Sequence, residues 1–172
     1  MACRIQDVVH GITVGCLLQY AHTNQHIMQK ITPFLWFNNN AQEAAKFYCS
    51  VFKNSKIVSD TPMMTEINID GQELILFNGG PNFSFTPATS LFISCETQEE
   101  IDAYWNALTE SGKPGQCGWL QDKYGLSWQI VPTILGSLIG DPDKEKSSRA
   151  MQAMLQMSKL DIAALTKAHD GT

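Results

Sequence analysis

A β-rich run, a helix and a set of short strands occur twice in this chain, and that repetition restricts the fold more than any other feature. The first copy opens at Ile31 and the second at Ser90, about 59 residues apart, a period that points to a duplicated unit. In the first copy, Ile31 to Phe37 ends in Asn38-Asn39-Asn40, side chains suited to a turn and to capping a helix start. Ala44, Ala45, Phe47, Tyr48, Val51 and Phe52 then recur at three- and four-residue steps, an apolar stripe opposite Gln42, Glu43, Lys46 and Lys53. Strands are predicted near Lys56 to Ser59, Met63 to Ile69 and Glu73 to Phe77, the last two joined by the hairpin dipeptide Asp70-Gly71. In the second copy, Ser90 to Cys95 reads as a strand. Thr97 to Glu100 reads as a capping box, and Ile101, Tyr104, Trp105 and Leu108 form a helical stripe ending at Ser111-Gly112. Strands are predicted near Gln116 to Gln121 and Ser127 to Val131, with Asp122-Lys123-Tyr124-Gly125 turning between them.

Two segments stand outside the repeat. From Thr133 the chain reads as a helical tail: a helix begins at Asp141-Pro142-Asp143, with Ala150, Met151, Met154 and Leu155 on one side, and Asp161 opens a last one with Ile162 and Leu165. Met151, Met154 and Met157 suit either an adaptable lid over a ligand or packing against the sheet or a second subunit. At the other end, residues 1–27 show no sustained period and hold His10, His22 and His26, three of the four histidines. With Met28 as a second plausible start, they read as a leader, a remnant or a mis-assigned start, or else as an extension of the domain. The expected organisation is therefore an N-terminal extension over 1–27 and one domain over 28–172. Within that domain, module one covers about 31–80, module two about 88–132 and the tail 133–172.

Composition excludes several function classes. The 172 residues are 44% hydrophobic and 17% charged with a formal charge of -5, enough for a core without covalent or metal staples. The 12 Lys and Arg are scattered, so no nucleic-acid surface is expected. Cys3, Cys16, Cys49, Cys95 and Cys117 form no CxxC pair and read as small apolar residues in a reducing compartment. The apolar run Gly11 to Leu18 is too short to span a bilayer, and Gln19-Tyr20-Ala21-His22 is a poor cleavage site. A cytoplasmic protein with no membrane partner is expected.

The βαβββ repeat, with Phe47-Tyr48 on its first helix and the closing run Asp122 to Pro132, resembles the vicinal-oxygen-chelate superfamily of glyoxalases, bleomycin-resistance proteins and extradiol dioxygenases. Thr32 to Phe37, Asn78-Gly79-Gly80-Pro81, Gln116 to Leu120 and Ser127 to Pro132 are similar, more narrowly, to its PhnB-like branch, which carries the label 3-demethylubiquinone-9 3-methyltransferase. The resemblance implies an α+β fold of two βαβββ modules with curved sheets around a cavity, and a homodimer in which modules of two chains meet. It also implies where metal ligands would stand: Phe34 or Pro33 on the first strand, Ser90 on the second module's first strand, and Gln129 on the closing strand. Of these Gln129 alone has a donor suited to a metal, and residues 27–168 contain no histidine, so no metal is expected.

Strand alternation then indicates which side chains line a cavity. With Leu35 and Phe37 on the helix side, Phe34, Trp36 and Asn38 face it from module one; Ser90, Phe92, Ser127, Gln129 and Trp119 face it from module two, with Val131 beyond them. An aromatic lining with a few amides and hydroxyls suits a planar or partly apolar small molecule. No cofactor motif is present: Gly79-Gly80 runs into Pro81 rather than a helix, which does not favour a nucleotide or methyl-donor site. No catalytic residue is singled out, since Glu66, Glu73, Asp122 and Tyr124, the proton-transfer candidates, read more simply as solvated strand-end or turn groups. The leading expectation is a metal-independent small-molecule-binding protein. The alternative is an enzyme of the same fold, either a metal-dependent lyase or dioxygenase or the methyltransferase of the family label.

Overall fold

The structure, a computed structural model, describes residues 29–172, so the expectations for residues 1–27 lie outside the described residues. The first module runs β1 (Phe34–Phe37), α1 (Ala41–Val51), β2 (Ser55–Asp60), β3 (Met64–Ile69) and β4 (Gln72–Asn78). The second runs β5 (Ser90–Cys95), α2 (Gln98–Thr109), β6 (Lys113–Pro114), β7 (Trp119–Gln121) and β8 (Ser127–Pro132). The strand orders are β1-β4-β3-β2 and β5-β8-β7-β6, and in each sheet the opening strand pairs in parallel with the closing one while the other pairs are antiparallel. The fold is α+β, two βαβββ modules followed by a helical tail. β6 lies N-terminal to the strand expected near Gln116, and Gln116 to Gly118 form the approach to β7.

Local chemistry explains these elements. Between β3 and β4, Asp70 and Gly71 both take positive φ, 49° and 87°, the two-residue turn whose twist matches a hairpin. In α1, Ala41, Ala44, Ala45 and Tyr48 are fully buried, and the three alanines let the helix lie close on its sheet. Asn40 occupies the N-cap of α1 but makes no side-chain cap bond. The free amide of Ala41 is instead capped from 37 residues away by Asn78 Oδ1 at 2.9 Å, while Asn78 Nδ2 donates to Gln42 Oε1 and to the Pro62 carbonyl. The end of β4 thus fixes the start of α1. In α2, Thr97 Oγ1 accepts from the Glu100 amide as a cap should, but Glu100 reaches the amide of Glu96 rather than that of Thr97.

The two modules share one core. Phe52, at the end of α1, stacks on Tyr104 of α2 at 5.2 Å and on Trp128 of β8 at 5.5 Å. At the centre of the junction lies Asp122, 3% exposed rather than the solvated turn charge that sequence suggests. Its Oδ2 accepts from Tyr48 Oη (2.7 Å) and Trp128 Nε1 (2.9 Å), and its Oδ1 from the amides of Tyr124 (2.9 Å) and Leu126 (3.0 Å). Burial pushes this carboxyl above its ordinary pKa despite all four donors, so desolvation outweighs them. Burial, followed by the neighbouring Asp122 charge, likewise drives the Tyr48 phenol well upward.

The tail comprises α3 (Leu135–Ile139), α4 (Lys144–Leu155) and α5 (Ile162–Asp170). It builds a second, smaller core around Leu135, Leu138, Ala150, Leu160 and Leu165, against which Val131, Met154 and Met157 pack. Met154 and Met157 are thus packing residues, while Met151 remains exposed. Module two holds the tail through the amides of Cys117 and Gly118, which donate to the carbonyls of Met157 (2.7 Å) and Ser158 (2.8 Å). Gln98 adds a two-way clasp, donating to the Leu160 carbonyl and accepting from the Ile162 amide.

Candidate functional site

In both modules the helices cover one side of the sheet, and the residues of the other side stand in register. On module one, β1 contributes Phe34 and Trp36, β4 contributes Ile75 and Phe77, and β3 contributes Met64 and Glu66. On module two, β5 contributes Ser90 and Phe92, β8 contributes Ser127 and Gln129, and β7 contributes Trp119 and Gln121. The alternate residues, such as Leu35, Phe37, Leu74 and Leu76 in one sheet and Trp128 and Ile130 in the other, are buried in the core. Phe34 faces Ile75 as Ser90 faces Ser127, and Trp36 faces Phe77 as Phe92 faces Gln129. Ser90 is therefore the module-two equivalent of Phe34, and Gln129 that of Phe77.

These equivalent pairs differ in kind. On module one, the Phe34 and Phe77 rings lie 5.4 Å apart, and Trp36 meets Phe77 and Phe83 edge-on, each at 5.0 Å. Trp36 is locked there by a bond from its Nε1 to the Gly80 carbonyl (2.9 Å) and by Gly79, where a Cβ would come within 2.0 Å of the indole ring. On module two, Gln129 Nε2 donates to Ser90 Oγ at 2.8 Å, and Ser127 is buried with no partner for its hydroxyl.

Of the eight residues expected from sequence, the structure places Phe34 and Trp36 together on module one, and Ser90, Phe92, Trp119, Ser127 and Gln129 together on module two. Asn38 sits exposed in the bend after β1, off the sheet. Among the described residues, no hydrogen bond or ring contact joins the two sets within one chain. Ser90 and Phe92 also line a cleft of about 510 Å³ along the free edge of β5, whose other walls include Pro33, Ile69, Leu74 and Trp128. Sequence reasoning missed Phe77 and Phe83. Phe77 could have been found by extending the alternation along β4, whereas Phe83 comes from the loop after Gly79-Gly80-Pro81, which has no periodicity.

The titratable groups belong to other places. Tyr124 donates to Glu43 Oε1 at 2.8 Å, and Lys123 pairs with the same carboxylate at 3.2 Å. Burial and then the bond to Glu43 push the Tyr124 phenol up, and burial pushes the Cys95 thiol up to about 11, so both stay protonated at neutral pH. Glu66 is half-buried on the aromatic face of module one. The positions that the resemblance marks for metal ligands are Phe34 or Pro33, Ser90 and Gln129, and Phe77 is the module-one equivalent of Gln129, so the set offers rings, a hydroxyl and an amide. This donor set does not fit a catalytic divalent ion, which needs several convergent N, O or S ligands. Among the described residues no cluster of three or more His, Cys, Asp or Glu is present, and no helix is long and apolar enough to cross a membrane.

The family described as 3-demethylubiquinone-9 3-methyltransferase matches residues 29–131. No curated protein matches the chain. Among solved structures, a PhnB protein from Bacillus cereus is 38% identical, with a TM-score of 0.57, over 61% of this chain and 100% of that one. Protein PA1353 from Pseudomonas aeruginosa shares the fold at 19% identity and a TM-score of 0.51, covering 60% of this chain and 97% of that one. A glyoxalase/bleomycin resistance protein from Albidiferax ferrireducens is similar at 13% identity and a TM-score of 0.46, over 60% of this chain and 98% of that one. The chain belongs to the 3-demethylubiquinone-9 3-methyltransferase family and is similar to a PhnB protein within it.

Proposed function

We propose that this chain is a metal-independent small-molecule-binding protein whose ligand lies on the open sheet faces, touching Phe34, Trp36, Ser90, Phe92, Trp119, Ser127 and Gln129, with Asn38 at the rim in the bend after β1. The observation that carries the reading is the content of the superfamily's ligand positions: a packed Phe34–Phe77 pair and a hydrogen-bonded Ser90–Gln129 pair. Rings offer contact area, and the amide and hydroxyls offer direction, the usual division of labour in a small-molecule site. We further propose one domain over 28–172, a cytoplasmic location and a homodimer in which the face of one module is completed by the other module of a second copy. Support for the dimer comes from the unpaired outer edges of β1 and β5 and from exposed rings beside them, with Phe34 53% and Phe92 58% accessible.

Trp36 and Trp119 make intrinsic fluorescence a direct readout. Titration with a panel of planar metabolites and aromatic drugs is expected to change emission saturably in metal-free buffer; no response across every compound class would end the reading. A single-subunit mass in solution at micromolar concentration would remove the dimer. The family description favours a methyltransferase as a second reading. Calorimetry with S-adenosylmethionine tests it, and no heat of binding is expected because Gly79-Gly80 leads into the irregular segment 81–89 instead of a helix start.

A further inference from the structure

The polar end of module two has a hydrogen-bonding inventory that selects among ligands. Gln129 lies between Phe92 of β5 and Trp119 of β7 in the sheet register, and Ser127 lies opposite Ser90. Ser127 and Gln129 are two apart on β8 and so point to the same side, while Trp128 between them is buried in the core. With one Nε2 proton given to Ser90, Gln129 keeps one N–H and its carbonyl oxygen, and the Ser90 hydroxyl keeps its own proton to donate. Ser127, 1% exposed, adds a hydroxyl that finds no partner in the protein. Buried hydroxyls are nearly always paired, because an unpaired one costs the full desolvation of the group, so this one points to a ligand atom.

No residue that the register places on this side of β5, β8 or β7 is charged; Lys113 stands at the outer rim, on β6 beside Gln121. A carboxylate or phosphate bound against Gln129 would lose its hydration with no opposite charge on these strands to replace it. A neutral group that presents a donor and an acceptor side by side satisfies every atom of the inventory. Rings on both flanks of Gln129 favour a planar one.

We propose that the face of module two is a subsite for a neutral amide edge: the carboxamide or lactam group of a planar ligand, bonded to Gln129, Ser90 and Ser127, with its ring against Trp119 and Phe92. This rests on the small-molecule-binding reading above and narrows its ligand class.

The test compares benzamide, benzoate and toluene, near-isosteric probes, titrated to about 10 mM into the full-length protein by two-dimensional NMR. Benzamide is expected to shift the Gln129 side-chain amide and the Trp119 indole N–H, and to bind about tenfold more tightly than the other two. Ser127→Ala is expected to weaken benzamide severalfold while leaving the melting temperature unchanged or higher, since it removes an unpaired buried hydroxyl. A merely structural serine would leave benzamide affinity unmoved, and that result overturns the proposal. Benzoate or toluene matching benzamide overturns the amide class and leaves small-molecule binding standing. No shift on either sheet face with any of the three overturns both.

Discussion

The open faces of the two modules occupy the same place on the same scaffold and differ in chemistry at two equivalent positions. In the core-facing half, both sheets are apolar: Leu35, Phe37, Leu74 and Leu76 in one, Leu91, Ile93, Trp128 and Ile130 in the other. In the outward half, Phe34 and Phe77 of module one correspond to Ser90 and Gln129 of module two. Because a strand alternates its side chains, the inward residues can build the fold while the outward ones specialise. At these equivalent positions one copy carries a pair of rings and the other a hydrogen-bonded pair.

The largest expected effect comes from removing what holds the two faces in relation. Asp122→Ala strips four donors, two of them the Tyr48 hydroxyl and the Trp128 indole from different modules, and is expected to cost about 3 kcal/mol of stability. Asp122→Asn should cost less, because its carbonyl oxygen still serves the Tyr124 and Leu126 amides. Chemical denaturation checks both. Equal, small losses in the two variants would mean that the carboxylate does not organise the junction.

Gly79→Ala breaks the comparison on one side only. The added methyl collides with the Trp36 ring, so a loss of about 2 kcal/mol is expected, with NMR shifts on module one and none at Trp119 or Gln129. Phe34→Ser together with Phe77→Gln instead gives module one the pair carried by module two. Phe34 is half exposed, so the stability cost should be near 1 kcal/mol, whereas binding of an apolar fluorescent dye should drop severalfold. Unchanged dye binding would place the ring-binding surface elsewhere.

The smallest effect concerns the tail, which rests on module two. His169 is held between Asp170 (3.0 Å, Nδ1) and Asp141 (2.9 Å, Nε2), with Lys146 acting on Asp141 and Arg149 bonded to the carbonyls of Ala168 and His169. The bonds to Asp170 and then Asp141 raise the His169 pKa above its ordinary 6.5. The folded tail therefore binds this proton more tightly than the unfolded chain does. Its contribution is complete below about pH 6.5 and is lost as pH rises through the raised value. Between pH 6 and 8.5 the melting temperature of the wild type should fall slightly more than that of His169→Gln; parallel curves would show that the clasp is silent.

The elements were legible from sequence because period and turn chemistry are local: the Asp70-Gly71 hairpin, the Ser90–Cys95 strand and the Asp161 cap each announce themselves within a few residues. The side-chain alternation that separated Phe34 and Trp36 from Leu35 and Phe37 was legible for the same reason. Contacts between distant residues were not. Nothing near Asn78 marks it as the cap of α1, and nothing in Asp122-Lys123-Tyr124-Gly125 distinguishes a carboxylate buried under Tyr48 and Trp128 from an ordinary turn residue. Asn38, read as the next inward residue of β1, lies past the end of the strand, where alternation no longer governs direction.

In the proposed function Ser90 and Gln129 serve an organic ligand rather than a metal. Equilibrium dialysis of the full-length protein against zinc, manganese and nickel, followed by elemental analysis and repeated with Gln129→Ala, tests this most directly. The same metal content is expected in the wild type and in Gln129→Ala, because the Ser90–Gln129 donor set has one amide and no imidazole or carboxylate. A full equivalent bound by the wild type and lost in Gln129→Ala would contradict the account.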